Sequence, residues 1–185
     1  RARNLLLWLC GLVLLISIMV GGFVLRRVMK QSRELEHKAL FDDLTGLPNR
    51  ALFFDRFRQA ALTYEDEPKP FSIVLVDLDR FKEINDLHGH HIGDLLLKHV
   101  AQNISATMRR SDTVARLGGD EFALLLPGVT SGNAEVIVKK LHATLCKRVS
   151  LDGIVLDVVA SMGVASYPEH EMEVNRLLLK ADIAM

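Results

Sequence analysis

The sequence predicts an α/β sandwich, with helices packed against a mainly antiparallel sheet and one membrane-spanning helix in front of it. Three observations carry this prediction. An uncharged apolar run opens the chain, helical and strand patterns alternate behind it, and two of the strands are joined by a Gly-Gly-Asp segment that fits a hairpin.

The apolar run Leu5–Leu25 holds 21 residues, and Asn4 to Leu25 contains no charge. At about 1.5 Å per residue it reaches roughly 30 Å, the depth of a bilayer core. A secretory signal has a shorter apolar region and a small-residue cleavage site. Here Arg26, Arg27, Lys30, Arg33 and Lys38 follow instead, which places that side in the cytoplasm by the positive-inside rule. All 23 acidic residues lie beyond the run. Removing Arg1 and Arg3 from the 23 basic residues leaves 21, a formal charge of −2 for the remainder. That balance excludes the basic face that nonspecific nucleic-acid binding requires. Cys10 and Cys146 form neither a disulfide framework nor a metal spacing. The chain begins without Met and stops within a helical pattern, so it reads as a fragment.

The expected organisation is a membrane helix with its flanks over 1–25, a juxtamembrane linker over 26–41 and a folded domain over 42–185. In the linker, Leu25, Val28, Ser32, Leu35 and Ala39 follow 3,4 spacing, a short seam for a second copy or one face of a solvated helix. Asn49 caps a helix that runs to about Thr63, and Phe71–Leu78 is an apolar, β-branched strand. A polar loop leads to a helix over about Ile92–Met108. Thr113–Leu117 and Glu121–Leu126 form the hairpin, Ala134–Val149 is helical, Ile154–Ala165 is strand broken by Gly163, and Glu173–Met185 is helical.

Asp77 and Asp79 end the apolar strand, and Asp120 and Glu121 occupy the hairpin turn. If the two are neighbours, both carboxylate pairs meet at one sheet edge. Turns are rich in Gly and Asp for conformational reasons alone, yet Phe122–Leu126 is core-like and leaves these acids at an apolar boundary. Clustered carboxylates repel unless a hard cation sits among them, and oxygen donors of this kind suit Mg²⁺ carrying phosphates. Asn85 and Asp94 supply an amide and a carboxylate with which to read a guanine edge, although helix capping explains either one singly. His88, His90 and His91 point in different directions and do not make a metal cluster.

These residues also carry a resemblance. Arg116-Leu117-Gly118-Gly119-Asp120-Glu121-Phe122 is similar to the signature of the GGDEF family. Asp43 to Arg50, Asp77 to Asp94, Ser161 to Ala165 and Lys180 to Asp182 resemble its other motifs in order, over about residues 40–185. The resemblance implies the palm-like (ferredoxin-like) fold of nucleotidyl cyclases and polymerases. It implies a diguanylate cyclase that condenses two GTP into cyclic di-GMP, with Mg²⁺ on Asp77, Asp120 and the Leu78 carbonyl. Asp120, Glu121 and Lys82 would be catalytic, while Asn85, His90 and Asp94 would bind substrate. Arg109 and Asp112, with five residues between Asp112 and Gly118, match an Arg-x-x-Asp product site that gives feedback inhibition. A basic helix end offsetting the helix dipole is the plainer reading of that segment. One GTP per domain implies a homodimer, held at a bacterial inner membrane with the catalytic domain in the cytoplasm. The alternative within the family is a domain that has lost catalysis and only senses nucleotide. The family's last helix continues past Lys180-Ala181-Asp182 with further basic phosphate contacts, and this chain ends before them, at Met185.

Overall fold

The computed structural model describes residues 19, 21–30, 37–66, 69–171 and 173–185. They fall into two units, Arg1–Ala39 and Leu40–Met185. In the first, residues 21–30 are helical and expose Phe23, Leu25 and Val28. The expected span Leu5–Leu25 lies mostly outside the described residues, as do Ser32 and Leu35 of the linker seam. Among the described residues, no helix is long and apolar enough to cross a membrane.

The second unit contains α1 (Arg50–Asp66), β1 (Phe71–Leu78), α2 (Phe81–His88), α3 (His90–Thr107), β2 (Thr113–Gly118) and β3 (Glu121–Pro127). It continues with α4 (Ser131–Leu145), β4 (Arg148–Leu151), β5 (Ile154–Asp157), β6 (Ala160–Tyr167) and α5 (Val174–Ile183). The central sheet has the order β2-β3-β1-β6 with every neighbouring pair antiparallel. Leaving aside α1, α5 and the inserted β4–β5 hairpin, and taking α2 and α3 as one connection, the chain runs β-α-β-β-α-β, a split β-α-β arrangement. This is the palm-like α/β sandwich with an antiparallel central sheet.

Side-chain alternation explains why β1 reads as a nearly continuous apolar run. Val74, Val76 and Leu78 pack with Phe122, Leu124 and Leu126 against Leu96, Leu97, Val100 and Ile104 of α3 and Leu141 of α4. Phe71 and Ile73 face the other way, onto Phe53 and Phe57 of α1, Tyr167 of β6 and Leu177 of α5. Both faces are covered, so the one polar residue of β1 before Asp77 is Ser72, buried and hydrogen-bonded to the Val129 carbonyl and the Ser166 hydroxyl.

Three local readings differ from the structure. The expected polar loop after β1 contains α2, because Phe81 and Ile84, three apart, pack onto the core while the residues between them face water. The helix expected to reach Val149 ends at Leu145, and Arg148 onward is strand. Its partner follows a tight turn in which Asp152 (φ 49°) and Gly153 (φ 81°) both take positive φ, the geometry of a two-residue hairpin. Gly163 does not break β6. A Cβ there would lie 1.8 Å from the Ala181 carbonyl oxygen, so the missing side chain lets α5 settle on the sheet.

Candidate active site

The acids gather where two inner strands end together. Asp77 stands opposite Glu121 in the β1–β3 register, and Asp120 precedes Glu121 in the turn from β2. The sequence reading placed them at a sheet edge. They lie instead at the ends of strands inside the sheet, since β3 and β1 both have neighbours on each side. Partial burial, and then the negative charges of Asp120, Glu121 and Asp79, push the Asp77 carboxyl above its ordinary value. Asp79 also accepts a 2.9 Å hydrogen bond from the Ser161 hydroxyl, which fixes it to β6. Leu78 ends β1 with its side chain in the core.

The turn that holds Asp120 is braced from outside. Leu117 is bulged between the Arg116–Phe122 and Gly118–Glu121 pairs, and Gly118 (φ 145°) and Gly119 (φ 54°) take backbone angles that favour glycine. Arg116 donates from Nε and Nη2 to the Gly119 carbonyl at 3.0 and 2.7 Å. Its Nη1 reaches both carboxylate oxygens of Asp42 at 3.1 Å. Asp42 in turn accepts from the Thr45 amide (2.9 Å) and hydroxyl (2.6 Å). Burial opposes the Asp42 charge, but the Thr45 bonds and Arg116 outweigh it and hold the carboxyl below its ordinary value. The sequence reading began this motif at Asp43 and gave Arg116 no task. The carboxylate that does the work is Asp42, and only its distance from Arg116 in the chain hid the link.

Lys82 and Asn85 lie on α2, while His90 and Asp94 lie in the first turns of α3, across Gly89 (φ 84°). Lys82, His90 and Asp94 are exposed and Asn85 is half-buried. Gly93 of α3 lies against Asn85 and Phe81 of α2. A Cβ on it would come within 2.0 Å of Asn85 Oδ1, so the absent side chain gives the Asn85 amide its place.

Arg109 and Asp112 sit in the turn between α3 and β2. The Asp112 carboxylate accepts from the Arg109 amide at 2.8 Å and the Ser111 hydroxyl at 3.3 Å. β2 separates this turn from Gly119, and its six residues span about 20 Å.

The donor set near Asp77 suits a hard cation. Among the described residues, no three His, Cys, Asp or Glu side chains are grouped as a self-sufficient metal site. The Asp77 and Asp120 carboxylates and the Leu78 carbonyl are oxygen donors of the type that would suit Mg²⁺, which usually keeps water and takes substrate phosphate oxygens as well.

Residues 39–185 match the family described as "Diguanylate cyclase, GGDEF domain". The chain is 41% identical over 156 residues to the bifunctional diguanylate cyclase/cyclic di-GMP phosphodiesterase MucR of Pseudomonas aeruginosa, covering 84% of this chain and 23% of MucR. It is 41% identical over 161 residues to the diguanylate cyclase TpbB of the same organism, covering 86% of this chain and 37% of TpbB. The solved GGDEF domain of TpbB superposes with a TM-score of 0.74 over 78% of this chain and 85% of that one. The GGDEF domain of DgcB from Caulobacter crescentus, solved in complex with c-di-GMP, is 26% identical with a TM-score of 0.74, over 79% and 87% of the two chains. The chain belongs to the GGDEF diguanylate cyclase domain family, and it spans about a quarter to two fifths of the length of the curated relatives above.

Proposed function

We propose that the protein carrying this chain is a membrane-anchored diguanylate cyclase that condenses two GTP into cyclic di-GMP and two pyrophosphates. The observation that carries the reading is the pairing of Asp77 with Glu121, with Asp120 in a turn that Arg116 braces. Each domain holds one GTP, and two copies face each other. The 3′-oxygen of each nucleotide forms a bond to the α-phosphorus of the other. The bond to pyrophosphate breaks and the hydroxyl proton is released, with Asp120 and Glu121 placed to assist its departure. Bound Mg²⁺, held by Asp77, Asp120 and the Leu78 carbonyl, supplies charge neutralisation on the phosphates. Lys82 adds positive charge where the transition state needs it. Chromatography of products after incubating the full-length protein with GTP and Mg²⁺ tests the whole reading. Cyclic di-GMP is expected. A cyclic mononucleotide would overturn the reading, and nucleotide binding without turnover would favour a sensor.

Asn85 and Asp94 read the guanine, with His90 beside them. Asn85→Ala is expected to weaken GTP binding by about 1–3 kcal/mol, because an edge that was paired loses its partner. Gly93→Ala should mimic it by displacing the same amide. Titrations with GTP and ATP check this: an unchanged preference for GTP in both variants would make Asn85 a structural residue only.

Arg109 and Asp112 bind cyclic di-GMP, Arg109 forking onto a phosphate or the guanine Hoogsteen edge and Asp112 accepting from guanine. The length of β2 keeps this site clear of the catalytic acids, so inhibition is expected to be noncompetitive with GTP. Arg109→Ala should relieve it without changing GTP affinity. Coincident inhibition curves for wild type and variant would reduce the motif to a turn.

The apolar run Leu5–Leu25, followed by basic residues, anchors the protein in the bacterial inner membrane with the catalytic domain on the cytoplasmic side, and the linker seam pairs two copies. The exposed apolar side chains at Phe23, Leu25 and Val28 support an apolar neighbour for this segment. Release of the full-length protein from membranes by an alkaline carbonate wash would overturn the anchor.

A further inference from the structure

The two ladders of β1 end at different residues. Pairing with β3 stops at Asp77, opposite Glu121, whereas pairing with β6 continues through Leu78, opposite Ala160. One step further, the Asp79 amide donates to the Val159 carbonyl at 3.0 Å. In an antiparallel ladder a residue turns its N–H and C=O to the same neighbour, and successive residues alternate. Asp79 therefore turns its peptide groups to β6, and Leu78 turns its own to the β3 side. Pro70, of the same parity as Leu78, has the same phase, since its carbonyl accepts from Gly128, just past β3, at 2.7 Å. Continuing the register puts Leu78 opposite Asp120, where the chain is already in the hairpin turn.

The Leu78 carbonyl and the Asp79 N–H belong to one planar peptide unit and point in opposite directions. Whatever fixes the N–H on Val159 therefore fixes the carbonyl as well. The Asp79 side chain holds the same residue a second time, accepting from the Ser161 hydroxyl at 2.9 Å in a charge-assisted bond. An aspartate just before a helix is suited to cap it, yet α2 starts without a side-chain cap and this carboxylate is turned to β6. Arg80, which follows, takes φ 60° and ψ 23°, a left-handed conformation that a bulky residue keeps only when its surroundings impose it. We propose that Asp79 and Ser161 are positioning residues that aim the Leu78 carbonyl at the cation site, and that Asp79 is not itself a ligand of the cation. This rests on the reading of Asp77, Asp120 and the Leu78 carbonyl as oxygen donors to Mg²⁺.

The test separates aiming a ligand from being one. Full-length wild type, Ser161→Ala, Ser161→Thr, Asp79→Asn and Asp79→Ala are titrated calorimetrically with a GTP analogue whose α- and β-phosphates are joined by methylene, over a series of Mg²⁺ concentrations. GMP, whose proposed guanine contacts lie on α2 and α3, is the control. Ser161→Ala and Asp79→Ala should raise the Mg²⁺ concentration for half-maximal analogue affinity about tenfold, the low end of what losing a metal ligand's outer partner costs, and leave GMP affinity within about twofold. Asp79→Asn, whose amide oxygen still accepts from Ser161, and Ser161→Thr, which keeps the hydroxyl, should stay within about threefold of wild type. An unchanged Mg²⁺ requirement in either alanine variant, or an equal loss of GMP affinity, would overturn the positioning role. Asp79→Asn as impaired as Asp79→Ala would make Asp79 a ligand and overturn the assignment, a comparison that stands even if Ser161→Ala does not fold. Wild-type binding of the analogue that ignores Mg²⁺ would remove the underlying reading of the donors, a failure distinct from that of Asp79 and Ser161.

Discussion

Asp120→Asn in the full-length protein should lower cyclic di-GMP formation on the order of a thousandfold or more while GTP affinity stays within a few-fold. The substitution keeps the side chain's size and most of its hydrogen bonding and removes one negative charge. That charge belongs to the cluster that pushes the Asp77 carboxyl upward, so Asp120 and Asp77 sense each other electrostatically. Carboxylates that repel in this way gain from a shared cation, and removing one of the two proposed carboxylate ligands would misplace the metal and its phosphates. Losses of this size are typical when charge stabilisation aimed at a transition state is removed. Binding survives because the residues proposed to read guanine lie on α2 and α3, not in the hairpin turn. Product chromatography and calorimetric GTP titration give the two readouts. Near-normal turnover with Mg²⁺ present would remove Asp120 from the catalytic centre, and a parallel collapse of GTP affinity would recast it as a binding residue.

The parts of the fold that were legible are those where local pattern and tertiary packing agree. β1 is apolar at every position but Ser72 up to Asp77 because α1 and α5 cover one face and α3 and α4 the other. The β2–β3 hairpin could be read from its glycines, since the backbone there needs positive φ. α2 was hidden because only Phe81 and Ile84 of its eight residues pack on the core, too few to show a helical period. The β4–β5 hairpin was hidden behind apolar spacing that continues from α4 through Val149. Asp152-Gly153 is a strong hairpin dipeptide, and it was the local signal to trust. The break expected at Gly163 confused two uses of glycine. Here the residue makes room for a helix carbonyl and does not bend the strand.

The site divides along the same line. Its acids were visible because charge at the end of an apolar strand stands out in one dimension. Their mutual placement followed once β1 and β3 proved to be neighbours. The brace was not visible, because Arg116 and Asp42 are 74 residues apart and neither is unusual in its own surroundings. Asn85 and Gly93 are an intermediate case. Asn85 stood out by itself, and only the packing of α2 on α3 shows that Gly93 makes room for it.

Arg116→Ala should therefore be costly in a way its position outside the acid cluster does not suggest. Arg116 and Asp42 are 12% and 23% exposed, so their hydrogen bonds are only partly screened by water. Deleting the guanidinium leaves the Gly119 carbonyl and the Asp42 carboxylate short of partners, at a cost of about 2–3 kcal/mol. The turn also loses its outer support, and a shift of Asp120 by an ångström is enough to slow turnover about a hundredfold. The loss should appear in kcat more than in KM, because the guanine contacts are on other elements. The acid limb of stability should move as well. Asp42 has a folded value below its ordinary 3.8, so it contributes stability above that pH and loses it as pH falls through the lower folded value. Without Arg116 the folded value rises toward the unfolded one, and that contribution shrinks at every pH above it. Urea denaturation at pH 7 and at acid pH, with steady-state kinetics at pH 7, checks each part. A variant with wild-type stability and kcat would show that the Gly118-Gly119 turn holds Asp120 by its own backbone, with no need of the link to Asp42.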